Sequence, residues 1–151
     1  MSRVFRSACI LFLLAALVGC SAITPNLAAP SEDAQAKAQR AGAHQSRLYI
    51  FRPAAFVAPG PGLLPVIVDT QIVAQIAYGN YAALDLAPGD HVVSTIVQTS
   101  VREYNLHLLP GETCYLEAKV KSGVYYYERQ PESTGRNAVE GLKLVKTRFK
   151  N

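Results

Sequence analysis

Leu86-Ala87-Pro88-Gly89-Asp90 runs into His91-Val92-Val93-Ser94-Thr95-Ile96-Val97-Gln98, and Leu108-Leu109-Pro110-Gly111-Glu112 runs into Thr113-Cys114-Tyr115-Leu116-Glu117-Ala118-Lys119-Val120. This pair of stretches decides the fold. Each is a Pro-Gly turn feeding a β-rich run: proline fixes φ near the value a turn needs, and glycine supplies the positive φ that follows. The second run alternates Cys114, Leu116, Ala118 and Val120 against Tyr115, Glu117, Lys119 and Lys121, the two-residue period of a strand with distinct faces. Val101–Leu109 lies between the two turns and reads as a further strand.

The same pattern extends in both directions. Downstream, Ser122-Gly123 predicts a hairpin turn into Val124–Arg129, with Val120 opposite Tyr125, Lys119 opposite Tyr126 and Ala118 opposite Tyr127. Gly141–Val145 predicts a last strand or a short helix. Upstream, Tyr81–Leu86 reads as a strand, Val66–Val68 and Ile72–Ile76 flank Asp69-Thr70-Gln71 as a hairpin, and Leu48-Tyr49-Ile50-Phe51 opens the series. Pro59-Gly60-Pro61-Gly62 marks a loop between the first two strands. Seven or eight short strands separated by turn signals, with no long helical period, predict a small antiparallel β-sandwich over residues 47–151.

Before Arg47 the composition changes. Residues 20–46 are rich in Ala, Pro, Gln and Ser and predict a tether. Ser31-Glu32-Asp33 is fit to start a short Ala-rich helix reaching about Arg40, with Gly42 as a stop. Its apolar residues are nearly all alanine, so its helicity would depend on context. Further upstream, Arg3 and Arg6 precede an apolar run, Cys9–Val18, of signal-peptide length and too short to span a bilayer. The run ends in Leu17-Val18-Gly19-Cys20, which resembles the bacterial lipobox. The expectation is cleavage of residues 1–19 between Gly19 and Cys20, with acylation of the Cys20 thiol, palmitate among the acyl chains. Acyl chains contribute about 0.8 kcal/mol per buried methylene to membrane attachment. Ser21 lacks the acidic character associated with inner-membrane retention, so the expected address is the periplasmic face of the outer membrane.

Charge and cysteine content narrow the function classes. The formal net charge of +4 includes Arg3 and Arg6, which leave with the signal peptide. The basic residues Lys143, Lys146, Arg148 and Lys150 are dispersed, so nucleic acid is not an expected partner. Once Cys9 is removed and Cys20 acylated, Cys114 has no partner for a disulfide. Cys114 shares its face with Leu116, Ala118 and Val120 and is expected to be a core residue, not a nucleophile. No phosphate-binding, dinucleotide-binding, zinc-protease or serine-hydrolase signature occurs. His44 falls in the tether, His91 follows a turn, and His107 points away from Leu106 and Leu108; no metal, cofactor or catalytic residue is expected from them. Asp69, Asp85 and Asp90 lie at or near turns, which accounts for them without catalysis.

The stretch from about Arg47 to Arg129 resembles a family of bacterial lipoproteins described as domain of unknown function 2846. The resemblance lies in Leu48-Tyr49-Ile50-Phe51-Arg52-Pro53, Val66-Ile67-Val68-Asp69, Gly79-Asn80-Tyr81, Leu86-Ala87-Pro88-Gly89-Asp90-His91 and Pro110-Gly111-Glu112-Thr113-Cys114-Tyr115. Thr70 departs from it, since glycine is expected after the aspartate. The resemblance implies a lipid-anchored β-sandwich and brings no catalytic residues. The leading expectation is therefore a non-enzymatic envelope module that binds a protein partner or supports the envelope. The alternative is a module for a small envelope ligand or glycan, with a hydrolase assembled from separate strands behind it. The candidate partner face is the outer side of the 113–129 hairpin: Tyr115, Lys119 and Tyr126, beside Glu117 and Glu128.

Overall fold

The computed structural model describes residues 24–56, 58 and 60–148; the expected signal sequence and lipidation site, residues 1–19 and Cys20, lie outside them. Among the described residues, nine strands form two sheets: β1 Ser46–Arg52, β2 Leu64–Val68, β3 Gln71–Ile76, β4 Asn80–Leu86, β5 Gly89–Val97, β6 Ser100–Leu108, β7 Thr113–Lys121, β8 Val124–Gln130 and β9 Lys143–Leu144. One sheet has the order β8-β7-β1-β4-β9 and the other β3-β2-β5-β6. This is the expected two-layer, all-β architecture, with one difference in pairing. The five-stranded sheet is mixed, because β1 runs parallel to β7 and β4 parallel to β9.

The inner faces of the two sheets meet in one apolar core. Leu48 and Ile50 of β1, Leu64, Val66 and Val68 of β2, Val93 of β5, Leu106 and Leu108 of β6, and Leu116 of β7 are all buried there. Cys114 sits in this core, and burial pushes its thiol up to about 11. That places it among packing residues, as the alternation of its strand indicates.

The turns are tight. Ser122 and Gly123 both take positive φ, as a two-residue hairpin requires, and the predicted pairs Val120–Tyr125, Lys119–Tyr126 and Ala118–Tyr127 are the observed register. Asp69 (φ 48°) and Thr70 (φ 73°) also sit in the left-handed region, so the β2–β3 turn is as tight as a glycine would make it. Thr70 bears the cost of a branched side chain there.

The sequence anticipates the first of the two helices, though not its docking, and misses the second. The first, α1 (Pro30–Ala38), lies in the stretch expected to be a flexible tether, yet it is docked on the domain. The tyrosine hydroxyls of the sheet supply what its alanines lack. Tyr49 donates to the Ala36 carbonyl at 2.5 Å, and Tyr81 donates to the Asp33 carboxylate at 2.8 Å. Asp33 also accepts from the Leu144 amide and from Lys37, and Lys37 reaches the Leu142 carbonyl. The second helix, α2 (Glu132–Glu140), was not expected. Its Pro-Glu-Ser-Thr-Gly start reads as a loop, and its apolar content is confined to Ala138 and Val139, with Leu142 just beyond.

Both helices cover the outer face of the five-stranded sheet. There Tyr49, Phe51, Tyr81 and Tyr115 form a second core with Ala36, Val139 and Leu142. β1 is thus buried at every position, apolar on both sides, in the manner of a strand covered by two layers.

Candidate functional site: the uncovered sheet face

Among the described residues no helix covers the outer face of the other sheet. Register identifies the side chains that share it, because residues directly opposite in antiparallel strands point to the same side. Ile72 of β3 lies opposite Ile67 of β2, and Ile67 lies opposite Ser94 of β5. Val92 and Ile96 flank Ser94 on that face, and Ile96 lies opposite Val101 of β6. The result is a set of aliphatic side chains spread over all four strands, about 14 Å across at ordinary strand spacing, with Ile67 and Ser94 at its centre only 7% and 8% exposed and Ser94 interrupting it on β5.

Ile72, Val92, Ile96 and Val101 are 45%, 37%, 44% and 51% exposed. The opposite side chains of the same strands, Val66, Val68 and Val93, are fully buried, which fixes the band as outward. Single exposed apolar residues are ordinary; here four of them share one face of one sheet. Polar groups rim the band: Asn105 opposite Val92, Glu103 opposite Ser94, and the pair His107–Asp90.

His91, one residue before Val92, anchors the end of this sheet. Its Nδ1 lies 2.6 Å from the Asp69 carboxylate and its Nε2 lies 2.8 Å from the Ala87 carbonyl. Neither partner can donate, so both bonds form together only with the imidazolium. Burial pushes the His91 pKa down, but the Ala87 carbonyl and the Asp69 carboxylate outweigh it and hold the value above the ordinary one. Burial pushes Asp69 up, and its bonds from His91 and the Val92 amide more than reverse this. The clamp joins the strained Asp69-Thr70 turn to the turn after β4. In sequence His91 and Asp69 are 22 residues apart, with no spacing that announces a pair.

The hairpin face expected to meet a partner is divided by the fold. Tyr115 is only 2% exposed, so it is removed from that face. It stacks on Tyr49 with ring centroids 4.8 Å apart, and Gly135 of α2 lies so close that a Cβ there would come 2.3 Å from the Tyr115 Cβ. The unexpected helix is the physical reason. Lys119 and Tyr126 remain outside, opposite each other, with Lys119 ion-paired to Glu128 and near Glu117. Tyr125 and Tyr127 turn inward as predicted.

Of the other residues singled out from sequence, His44 is exposed ahead of β1 and His107 is exposed beside Asp90. Asp85 lies within β4 and pairs with buried Arg47 at 2.7 Å, an ion pair rather than a turn. These residues do not converge. Comparison with known proteins adds no relative: no family model matches the chain, and no curated protein matches it.

Proposed function

We propose that this chain is a lipid-anchored envelope protein, held at the periplasmic face of the outer membrane through Cys20, whose sandwich is a non-enzymatic protein-interaction module. The observation that carries the interaction reading is the aliphatic band of Ile72, Val92, Ile96 and Val101 on a sheet face without a helix. A band this width with a polar rim has the anatomy of a small protein-contact patch: an apolar centre and hydrogen-bonding groups at its edge. The anchoring half rests on the Leu17-Val18-Gly19-Cys20 motif and on the resemblance of residues 47–129 to the lipoprotein family named above.

The two halves separate experimentally. Cys20→Ser should leave an unprocessed precursor without fatty-acid label; a labelled, membrane-bound variant would refute the anchor. A paired Ile96→Lys, Val101→Lys variant should fold, localise normally and lose the envelope protein cross-linked to the wild type in native membranes. Retention of that adduct would remove the band as the contact surface.

A further inference from the structure

β1 has a buried arginine near each end, and only one of them has a carboxylate. Arg47 is paired with Asp85. Arg52 is 1% exposed and has no ion-pair partner among the described residues. Its Nη1 donates to the Pro61 carbonyl at 3.2 Å, and its guanidinium lies 3.7 Å from the Tyr78 ring centroid and 5.7 Å from that of Tyr125. Its Nη2 is buried with no hydrogen-bond acceptor. Two ring faces, the Pro61 carbonyl and a hydrogen bond to the Tyr125 hydroxyl offset part of the cost of burying this charge, but buried cations are ordinarily paired with an anion. Burial raises the Tyr125 hydroxyl pKa, and the Arg52 cation opposes that rise.

Two of the groups that contact Arg52, Pro61 and Tyr125, also form the wall of a cavity of about 280 Å³. It opens between the tips of the β5–β6 and β7–β8 hairpins. Val97, Val120 and Val124 give it an apolar side; Gln98, Ser100 and Arg102 give it a polar one, and no acidic residue lines it. Arg102 in the lining and Arg52 behind Pro61 and Tyr125, with no lining carboxylate, give the cavity a positive character beside its valines. Its volume falls just below the roughly 300–1,000 Å³ of sites for drug-sized ligands.

We propose that this cavity binds a small organic carboxylate with a short apolar body. The carboxylate pairs with Arg102 in the field of Arg52, and the body lies on Val97, Val120 and Val124. A bare inorganic anion would leave the valine side empty, and a neutral apolar ligand would leave the two cations uncompensated. This proposal is independent of the contact face on the four-stranded sheet.

The test uses the full chain and two probes of equal shape, hexanoate and hexanamide, followed by amide chemical shifts. Hexanoate should produce saturable shifts at Gly60, Gln98, Gly123 and Val124 and move the guanidinium resonance of Arg52. Hexanamide should bind at least tenfold more weakly, and so should hexanoate to Arg102→Gln, an exposed substitution that leaves the core intact. No saturable shift at these positions, equal binding of the amide, or unchanged affinity of Arg102→Gln would each overturn the proposal.

Discussion

The outer faces of the two sheets start from similar material and end differently. On the five-stranded sheet the outward positions of β1, β4 and β7 are Tyr49, Phe51, Tyr81 and Tyr115, and two helices settle on them. On the four-stranded sheet the outward positions are Ile67, Ile72, Val92, Ile96 and Val101, with both helices elsewhere. The difference lies in the polar ends. Tyrosine offers a broad apolar ring together with a hydroxyl that can satisfy a helix backbone or its side chains, so even an alanine-rich helix finds specific partners. Aliphatic side chains offer area but no direction. Among the described residues the first face is closed by helices and the second is not.

The largest expected effect tests the closed face. Gly135→Ala places a methyl group against Tyr115, a rigid ring already stacked on Tyr49. Although alanine favours helix by about 1 kcal/mol over glycine, the overlap should dominate and cost about 2–3 kcal/mol in urea unfolding. An Ile96→Ser change on the open face should stay within about 0.5 kcal/mol, as surface substitutions do. Equal costs would mean that the two faces are not distinguished in this way.

Undocking α1 is the next test. Asp33→Ala removes the acceptor for Tyr81, Lys37 and the Leu144 amide. The expected loss is about 2 kcal/mol, since donors are left unmatched, and protease should then cut within residues 24–45 while the sandwich survives. Cutting there at the same rate in the wild type would restore the tether reading.

Two smaller effects sharpen the description of the open sheet. His91 has a raised pKa when folded, so its contribution is fully present below the unfolded imidazole value, about 6.5, and is lost as pH rises through the folded value. Asp69 is lowered, so its contribution is present above the unfolded carboxylate value and is lost as pH falls through the folded one. The stability gap between wild type and His91→Gln should therefore be widest near pH 5, between the two ordinary values, and narrow toward alkaline pH. Asp90 also acts on His91 and shares in the profile. A gap independent of pH would show that the imidazolium is not the clamping species. The smallest effect is a gain: Thr70→Gly should stabilise by about 1 kcal/mol by relieving a branched residue at φ 73°.

The sequence reading succeeded where the information was local. Pro88-Gly89, Pro110-Gly111 and Ser122-Gly123 set the turns, the glycines take positive φ, and the β7–β8 register followed from turn length alone. The inward face of Cys114 followed from alternation. What sequence withheld was the identity of the covering layers. Alternation shows that Tyr115 points away from the sandwich core, but not that its face would receive helices. Turn-like residues hid α2, and the tyrosines that hold α1 lie 13 and 48 residues from their helix partners. The Arg52 site and the His91 clamp also join distant segments, so no short motif marks them.

The most direct test of the open face is site-specific photo-crosslinking of the full chain in its native cells, with the probe at Ile96, at Tyr126 on the divided hairpin face, and at exposed Leu109 as a control. A discrete adduct with an envelope protein from Ile96, absent from Leu109 and weaker from Tyr126, is the predicted result. An adduct from Tyr126 alone, or none from Ile96 in correctly folded and localised protein, would contradict the claim that the uncovered four-stranded sheet is the contact surface.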